Sequence, residues 1–229
     1  MSFVQSGAFK LDSMKRKFQI AALVVLAGGI LPAGCKFERT KTSEEIAAQT
    51  TTFNPDKMVS DIWQAKVVPY LTAKAGDFKT VRDLESADLE AAGAKYGHKE
   101  KVGNSPWTFI VRLEGKIVRS NTKSRAATID VDSDGDGKAD ATVQIGPAMR
   151  GTALRDSLDF VSFNDFTNQI DFAQFGKAFN TYANKTFLEA IPRDKLDGSQ
   201  VKLVGTFQHG VSPGLPLISP ASLEILAQK

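Results

Sequence analysis

The sequence is poor in the residue types that most often carry catalysis. It contains one Cys and two His in 229 residues, with no zinc-ligand spacing, phosphate-binding loop or dinucleotide-binding fingerprint. A single Cys cannot form a disulfide within the chain, so the fold must depend on a hydrophobic core or on a metal. The two histidines, His98 and His209, are expected in Gly-flanked loops. Catalysis based on His or Cys is therefore not predicted.

The chain also lacks an excess of charge outside its first residues. Of the 29 basic and 26 acidic residues, four basic and one acidic residue lie in residues 1–34, which leaves 25 of each sign. Binding to nucleic acid needs clustered Lys and Arg that displace counterions from phosphates, and no basic stripe is present. A nucleic-acid partner is therefore excluded. The 42% of hydrophobic residues is enough for a substantial core in one domain or two small ones.

The amino-terminal residues have the pattern of a secretory signal. Three basic residues at positions 15–17 precede an apolar run at 18–31, which is too short for a comfortable membrane span. Pro32-Ala-Gly-Cys follows and resembles the lipobox of bacterial lipoproteins, although Pro32 replaces the usual aliphatic residue. We therefore predict a signal peptide at residues 1–34, with Met14 as an alternative start, and lipidation of Cys35. An uncleaved anchor helix with an incidental Cys is the alternative.

A lipidated Cys35 predicts where the protein is located. Two acyl chains attach a protein stably to a bilayer, because each buried methylene contributes about 0.8 kcal/mol. The lipid bilayer is therefore an expected partner, on the periplasmic face of a bacterial membrane. Residues 36–52 are polar and suit a tether between the lipid and the folded part.

Residues 53–100 predict a small helical subdomain. Asn54, Pro55 and Asp56 form a typical helix start, with a capping amide, a Pro in the first position and an acid in the first turn. We expect this helix to end or kink at Pro69. A second helix is expected from about residue 80 to residue 96, ending at Gly97.

Residues 101–229 predict a small barrel or a curled antiparallel sheet with a long helix packed on it. Strand patterns occur at residues 107–113, 116–119, 126–131, 141–145, 201–207 and 222–226. Glu114 and Gly115 are expected to form a tight hairpin turn. A long helix is expected at about residues 165–191, because Phe172, Phe175 and Phe179 share one face. The fold class is therefore α+β, with a helical subdomain beside a small barrel.

An Asp-rich loop separates two of the predicted strands. Counted from the first acid, carboxylates occupy positions 1, 3, 5 and 9, and Gly occupies position 6, where a sharp bend is needed. The predicted ligands of a structural Ca²⁺ are Asp132, Asp134, Asp136, Asp140 and the backbone carbonyl of Lys138. Val143 stands where an EF-hand has its bidentate Glu, so the loop resembles shorter calcium loops on hairpins. The alternative is a solvated Asp-Gly turn.

Polar residues are concentrated just after this loop. The candidate ligand-binding residues are Arg150, Thr152, Arg155, Asp156, Asn164, Asp165, Asn168 and Gln169. Guanidinium, carboxylate and amide groups beside aromatic rings suit a sugar, whose hydroxyls need paired donors and acceptors. In the alternative, Asn164 or Asp165 caps the long helix and Arg155 pairs with Asp156 or Asp159. We favour this structural interpretation.

Four segments together resemble the DUF2291 family of predicted periplasmic lipoproteins. They are residues 121–125, the Asp loop with residues 142–147, residues 150–156 and residues 163–169. The resemblance implies the fold of a Thermotoga protein, in which a helical subdomain joins an OB-like α/β barrel. Genes of the family often lie beside sugar ABC transporters, which implies an accessory role in sugar uptake. The implied partners are transporter components or a sugar, and no catalytic residues are implied.

Three classes of function are consistent with these observations. We expect a non-enzymatic, membrane-anchored accessory or ligand-binding protein. The alternatives are an envelope scaffold that binds another protein, and a glycan hydrolase that uses Asp156 and Asp165. A hydrolase needs two carboxylates about 5–5.5 Å or 6.5–9.5 Å apart, which sequence spacing does not show.

Overall fold

A closed barrel of five strands forms the centre of the protein. The computed structural model describes residues 53–101 and 103–226. Its strands are β1 (Gly76–Asp77), β2 (Gly97–His98), β3 (Thr108–Asn121), β4 (Thr128–Asp132), β5 (Ala141–Gln144), β6 (Gln200–Gln208) and β7 (Leu217–Leu226). Strands β1 and β2 are short and pair with the first half of β3. The barrel itself consists of β3 to β7.

The barrel closes because β3 pairs with two different strands along its length. Its first part, from Thr108 to Lys116, pairs with β6, and its second part, to Asn121, pairs with β4. The strand order is therefore β3-β4-β5-β7-β6 and back to β3, and every pair is antiparallel except β5 with β7. The fold class predicted from the sequence is confirmed.

The hairpin predicted at Glu114 and Gly115 is wrong, because β3 continues through both residues. Gly115 has a different role. A Cβ atom at this position would lie 2.2 Å from the backbone oxygen of Asp132, so only Gly lets β4 approach so closely. The sequence signal for a turn was in fact the signal for a close approach between two strands.

Within residues 53–101 and 103–226, six helices surround the barrel. They are α1 (Pro55–Ile62), α2 (Val68–Lys74), α3 (Phe78–Ala87), α4 (Leu89–Tyr96), α5 (Ala153–Asp156) and α6 (Gln169–Ala183). Single π-helical turns extend α1 at Trp63–Val67 and α6 at Asn184–Leu188, and a 3₁₀ turn covers Phe163–Asp165. Asn54 caps α1 as predicted, since its side chain accepts a hydrogen bond from the Lys57 N–H at 2.9 Å.

Two predicted helix boundaries are corrected. The first helix was predicted to end or kink at Pro69, and it does not end there, because the π turn restarts the hydrogen-bond pattern and places Pro69 in the first turn of α2, where no N–H is needed. The predicted second helix is two helices. It breaks at Asp88, whose backbone is extended and whose side chain caps α4 through the Ala91 N–H.

Two hydrophobic cores hold these elements together, and both contain helical residues as well as barrel residues. Phe109, Val131 and Phe207 fill the barrel interior with Phe78 and Val81 of α3. The second core lies between the outside of the barrel and the helices, with Trp63, Leu71, Ile110, Leu154 and Phe179 among its members. Helix α6 thus presents its aromatic face to a core, as its spacing predicted.

The described residues contain no helix long and apolar enough to cross a membrane. The predicted signal peptide, the polar tether and Cys35 lie outside the described residues.

Candidate functional site

The predicted ligand-binding residues lie where α5 and the start of α6 meet the barrel. Arg155 is buried there and uses most of its guanidinium group. Its Nε and Nη2 atoms lie 2.7 and 2.6 Å from Oδ1 of Asp156, and Nη1 donates to the Phe172 carbonyl at 2.8 Å. The guanidinium carbon lies 3.6 Å from the centre of the Phe172 ring. The cation is therefore held by a carboxylate, a carbonyl and an aromatic face.

The second oxygen of Asp156 is also occupied. It accepts from the Thr152 hydroxyl at 2.5 Å and from the Gln208 amide at 3.0 Å. The backbone carbonyl of Asp156 lies 2.8 Å from Nδ1 of His98, which is part of β2 rather than an exposed loop residue. Asp156 thus connects α5 with β2 and β6.

Helix α6 is adapted to this ion pair. A Cβ atom at Gly176 would lie 2.8 Å from Nη1 of Arg155, so the absence of a side chain makes room for the guanidinium group. One turn later, the Asn180 amide donates to the Gly151 carbonyl at 2.9 Å. The polar contacts therefore fix α6 against α5.

Two of the five remaining candidates, Asp165 and Asn168, serve the ends of helices. Ser162 and Asp165 form a capping box around the 3₁₀ turn, with the Ser162 N–H donating to Asp165 at 2.9 Å. Asn168, and neither Asn164 nor Asp165, caps α6 by accepting from the Asp171 N–H at 2.9 Å. Arg150, Asn164 and Gln169 are exposed. Five of the eight candidate side chains thus make internal hydrogen bonds, as the structural interpretation proposed.

The Asp loop brings together three of its predicted ligands. Carboxylate oxygens of Asp132, Asp134 and Asp136 all lie within 4.8 Å of one another. Asp140 instead accepts from the Ser133 N–H and hydroxyl, at 2.8 and 2.6 Å. The Lys138 ammonium lies 3.6 Å from Asp136 and is largely exposed, so it offsets little of the negative charge.

Backbone amides fix Asp132 in this loop. Gly135 donates to its Oδ1 at 2.7 Å and Gly137 to its Oδ2 at 2.9 Å, and both glycines have positive φ angles. Burial raises the pKa of the Asp132 carboxyl, but the N–H groups of Gly137, Gly135 and Asp134 outweigh it and hold the pKa below its ordinary value. The loop is therefore built to keep this buried carboxylate ionised.

Two further polar clusters were not predicted from the sequence. On the outer face of the barrel, Asp130 accepts from Arg119 Nε at 2.6 Å and from the Thr142 hydroxyl at 2.8 Å. At the end of β6, Nδ1 of His209 lies 2.6 Å from the buried carboxylate of Glu85, which also binds Arg82. Because the partners are 11 and 124 residues apart, no local sequence signal joins them.

A closed five-stranded barrel in this order, with helices between its third and fourth strands, defines an OB-fold protein. A family model described as "Predicted periplasmic lipoprotein (DUF2291)" matches residues 23–224. The chain therefore belongs to the DUF2291 family, and its location is the periplasmic side of a bacterial membrane.

Among solved structures, the chain is similar to an OB-fold protein from Thermotoga maritima MSB8. The TM-score is 0.59 and the identity 20%, with 76% of this chain and 99% of that chain covered. An OBody bound to hen egg-white lysozyme has a TM-score of 0.29 and 17% identity, over 58% of this chain and 80% of that chain. A comparison with curated proteins finds no match. The predicted family and barrel are confirmed.

The lowered pKa of Asp132 predicts how the stability of the loop depends on pH. In the unfolded chain the carboxyl has a pKa near 3.8, and in the folded chain a lower one. Its contribution is therefore complete above about pH 5 and is lost as the pH falls from there through the lowered native pKa. In chelator, Asp132→Asn should be less stable than wild type at neutral pH, and the difference should close in acid.

Urea unfolding at several pH values measures this difference. Asp61→Asn on the exposed face of α1 is the matched control and should change stability little at any pH. A difference between wild type and Asp132→Asn that stays constant from neutral pH to acid would contradict the account.

Proposed function

We propose that the protein is a lipid-anchored accessory of a sugar uptake system that binds its ligand without transforming it. The observation that carries the lipoprotein part of the proposal is the family match, which begins within the apolar run and includes Cys35 as well as the barrel. The sugar-uptake part is what the resemblance to the family implies. Diacylation of Cys35 would keep the domain at the membrane surface, where a transporter operates.

The state of the carboxylates supports a binding role over hydrolysis. A glycan hydrolase needs one acid that can donate a proton and a second that is free to attack or to activate water. Asp156 accepts from Arg155, Thr152 and Gln208, and Asp165 accepts from the Ser162 N–H. Both acids proposed for hydrolysis are thus engaged in holding the local structure.

A scaffold function has less support. Among the described residues the large apolar side chains that are exposed are Met58, Phe160, Ile170 and Val211. They are few, whereas a protein-binding surface usually presents a large apolar patch. In addition to the bilayer, we propose the partners that the family resemblance implies, which are components of a sugar ABC transporter or a sugar.

We also propose a structural calcium ion in the Asp loop. Ca²⁺ binds oxygen atoms at about 2.3–2.6 Å, so neighbouring ligand oxygens lie within about 5 Å of one another, as the three carboxylates do. Asp132, Asp134 and Asp136 would hold the ion, with the Lys138 carbonyl and water completing the shell. The ion would supply positive charge to the three carboxylates, which the exposed Lys138 ammonium offsets little.

Replacing Cys35 tests the anchored uptake role. Wild type should carry diacylglycerol on Cys35 by mass spectrometry of the native protein. Cys35→Ser should lack it and leave the membrane fraction. In the native host, Cys35→Ser should reduce uptake of at least one labelled sugar to the level of a strain without the protein. An unmodified Cys35 in wild type, or uptake that is the same in all three strains for every sugar, would contradict the proposal.

Chelation tests the calcium ion. At a calcium concentration 100 times the Kd, a ligand that binds only the folded state stabilises it by about 2.7 kcal/mol. Calcium should therefore raise the Tm of wild type by several degrees relative to EDTA, and Asp134→Asn should remove most of the shift. Asp83→Asn on α3 is the control and should keep it. Equal melting of wild type in calcium and in EDTA would leave the loop an ordinary Asp-Gly turn.

A further inference from the structure

A polar groove crosses the outer face of three barrel strands. It has a volume of about 560 Å³ and is lined by residues 119–123 together with Thr128, Asp130 and Thr142. Arg119 stands directly opposite Asp130 in the pairing of β3 with β4, and Asp130 stands opposite Thr142 in the pairing of β4 with β5. Their side chains therefore share one face of the sheet.

Asp130 orients the guanidinium group of Arg119. The carboxylate is buried, and its Oδ1 is bound by the Thr142 hydroxyl, so its position is fixed. Nε and Nη2 of Arg119 bind its Oδ2 at 2.6 and 2.5 Å. The Arg119 side chain nevertheless stays 77% exposed, and within the described residues its Nη1 makes no hydrogen bond. One edge of the cation is therefore anchored and the other faces the groove.

The remaining side chains of the groove have polar atoms to offer. Five of them make no side-chain hydrogen bond or ion pair with any described residue: Ser120, Asn121, Thr122, Lys123 and Thr128. At the junction of α5 and α6 the situation is different, because the hydrogen-bonding groups of Arg155 and Asp156 are already bound by other groups of the protein. Hydroxyl and amide groups that both donate and accept are what a polyhydroxylated ligand requires.

The charge of the groove narrows the class of ligand. Arg119 and Lys123 are cationic and Asp130 is anionic, which leaves one net positive charge. Every lining side chain carries a polar or charged group, which favours a polar ligand. An oriented guanidinium matches a carboxylate in geometry as well as in charge. The volume lies within the usual range of small-molecule sites, about 300–1,000 Å³.

We propose that this groove binds a sugar acid, with its carboxylate on Arg119 and Lys123 and its hydroxyls on the Asn, Ser and Thr side chains. The inference rests on the proposed sugar-binding function and names its site and ligand class.

Calorimetric titration of the full-length protein in detergent tests the proposal. The probes are galacturonate and glucuronate, with galactose and glucose as neutral matches, all in chelator so that the Asp loop does not contribute. Lys123→Ala removes an exposed charge. Arg119→Lys keeps a cation opposite Asp130 but loses the planar fork. Lys79→Ala on α3, an exposed Lys that does not line the groove, is the control.

We expect at least one uronate to bind at least tenfold more tightly than its neutral match. Lys123→Ala and Arg119→Lys should each weaken that binding at least tenfold with an unchanged Tm, and Lys79→Ala should bind like wild type. Absence of heat with both uronates, equal affinity for uronate and neutral sugar, or full binding by both groove variants would each overturn the proposal. If the neutral sugars bind wild type and all variants with equal affinity, the groove is not the binding site, although the protein still binds sugar.

Discussion

The ion pair between Arg155 and Asp156 is the interaction on which the placement of the helices depends. A buried charge is costly unless every part of it is paired, and breaking such a pair costs far more than forming it gains. The pair therefore requires the Phe172 carbonyl of α6, the Thr152 hydroxyl just before α5 and the Gln208 amide of β6. Each partner fixes one element against the others. The second hydrophobic core can form only when these elements are in place.

The same constraint distinguishes polar residues that hold the fold from polar residues that could bind a ligand. A group whose hydrogen bonds are satisfied inside the protein has little left for a ligand. By this criterion residues 150–169, which have the composition of a binding site, mainly hold the fold. On β3 and β4 the Arg119 guanidinium is bound by Asp130 along one edge, and its other edge faces the groove. Asp130 and Asp132 are two residues apart on β4 and so share its outer face, one beside the groove and one at the Asp loop.

Local chemistry was predictable from the sequence, and contacts between distant residues were not. The Asn54 cap and the aromatic face of α6 were predicted because their causes lie within a few residues. Gly115 was misassigned because its neighbour, the Asp132 carbonyl, is brought to it by strand pairing. The pairing of Arg119 with Asp130 depends on a register shift between Ile117 and Arg119, which no pattern of hydrophobic residues shows. The candidate groove therefore required the structure.

The free energy of unfolding of Arg155→Met, compared with that of Arg150→Met, tests most directly whether the polar stretch holds the fold. Removing the guanidinium from Arg155 leaves the Asp156 carboxylate without its main partner, and should cost about 3 kcal/mol. Amide hydrogen exchange should then speed up in α6 before it does in β3. The exposed Arg150 should cost less than about 0.5 kcal/mol. Equal, small losses of unfolding free energy in the two variants would contradict this account and would indicate that residues 150–169 form a ligand site.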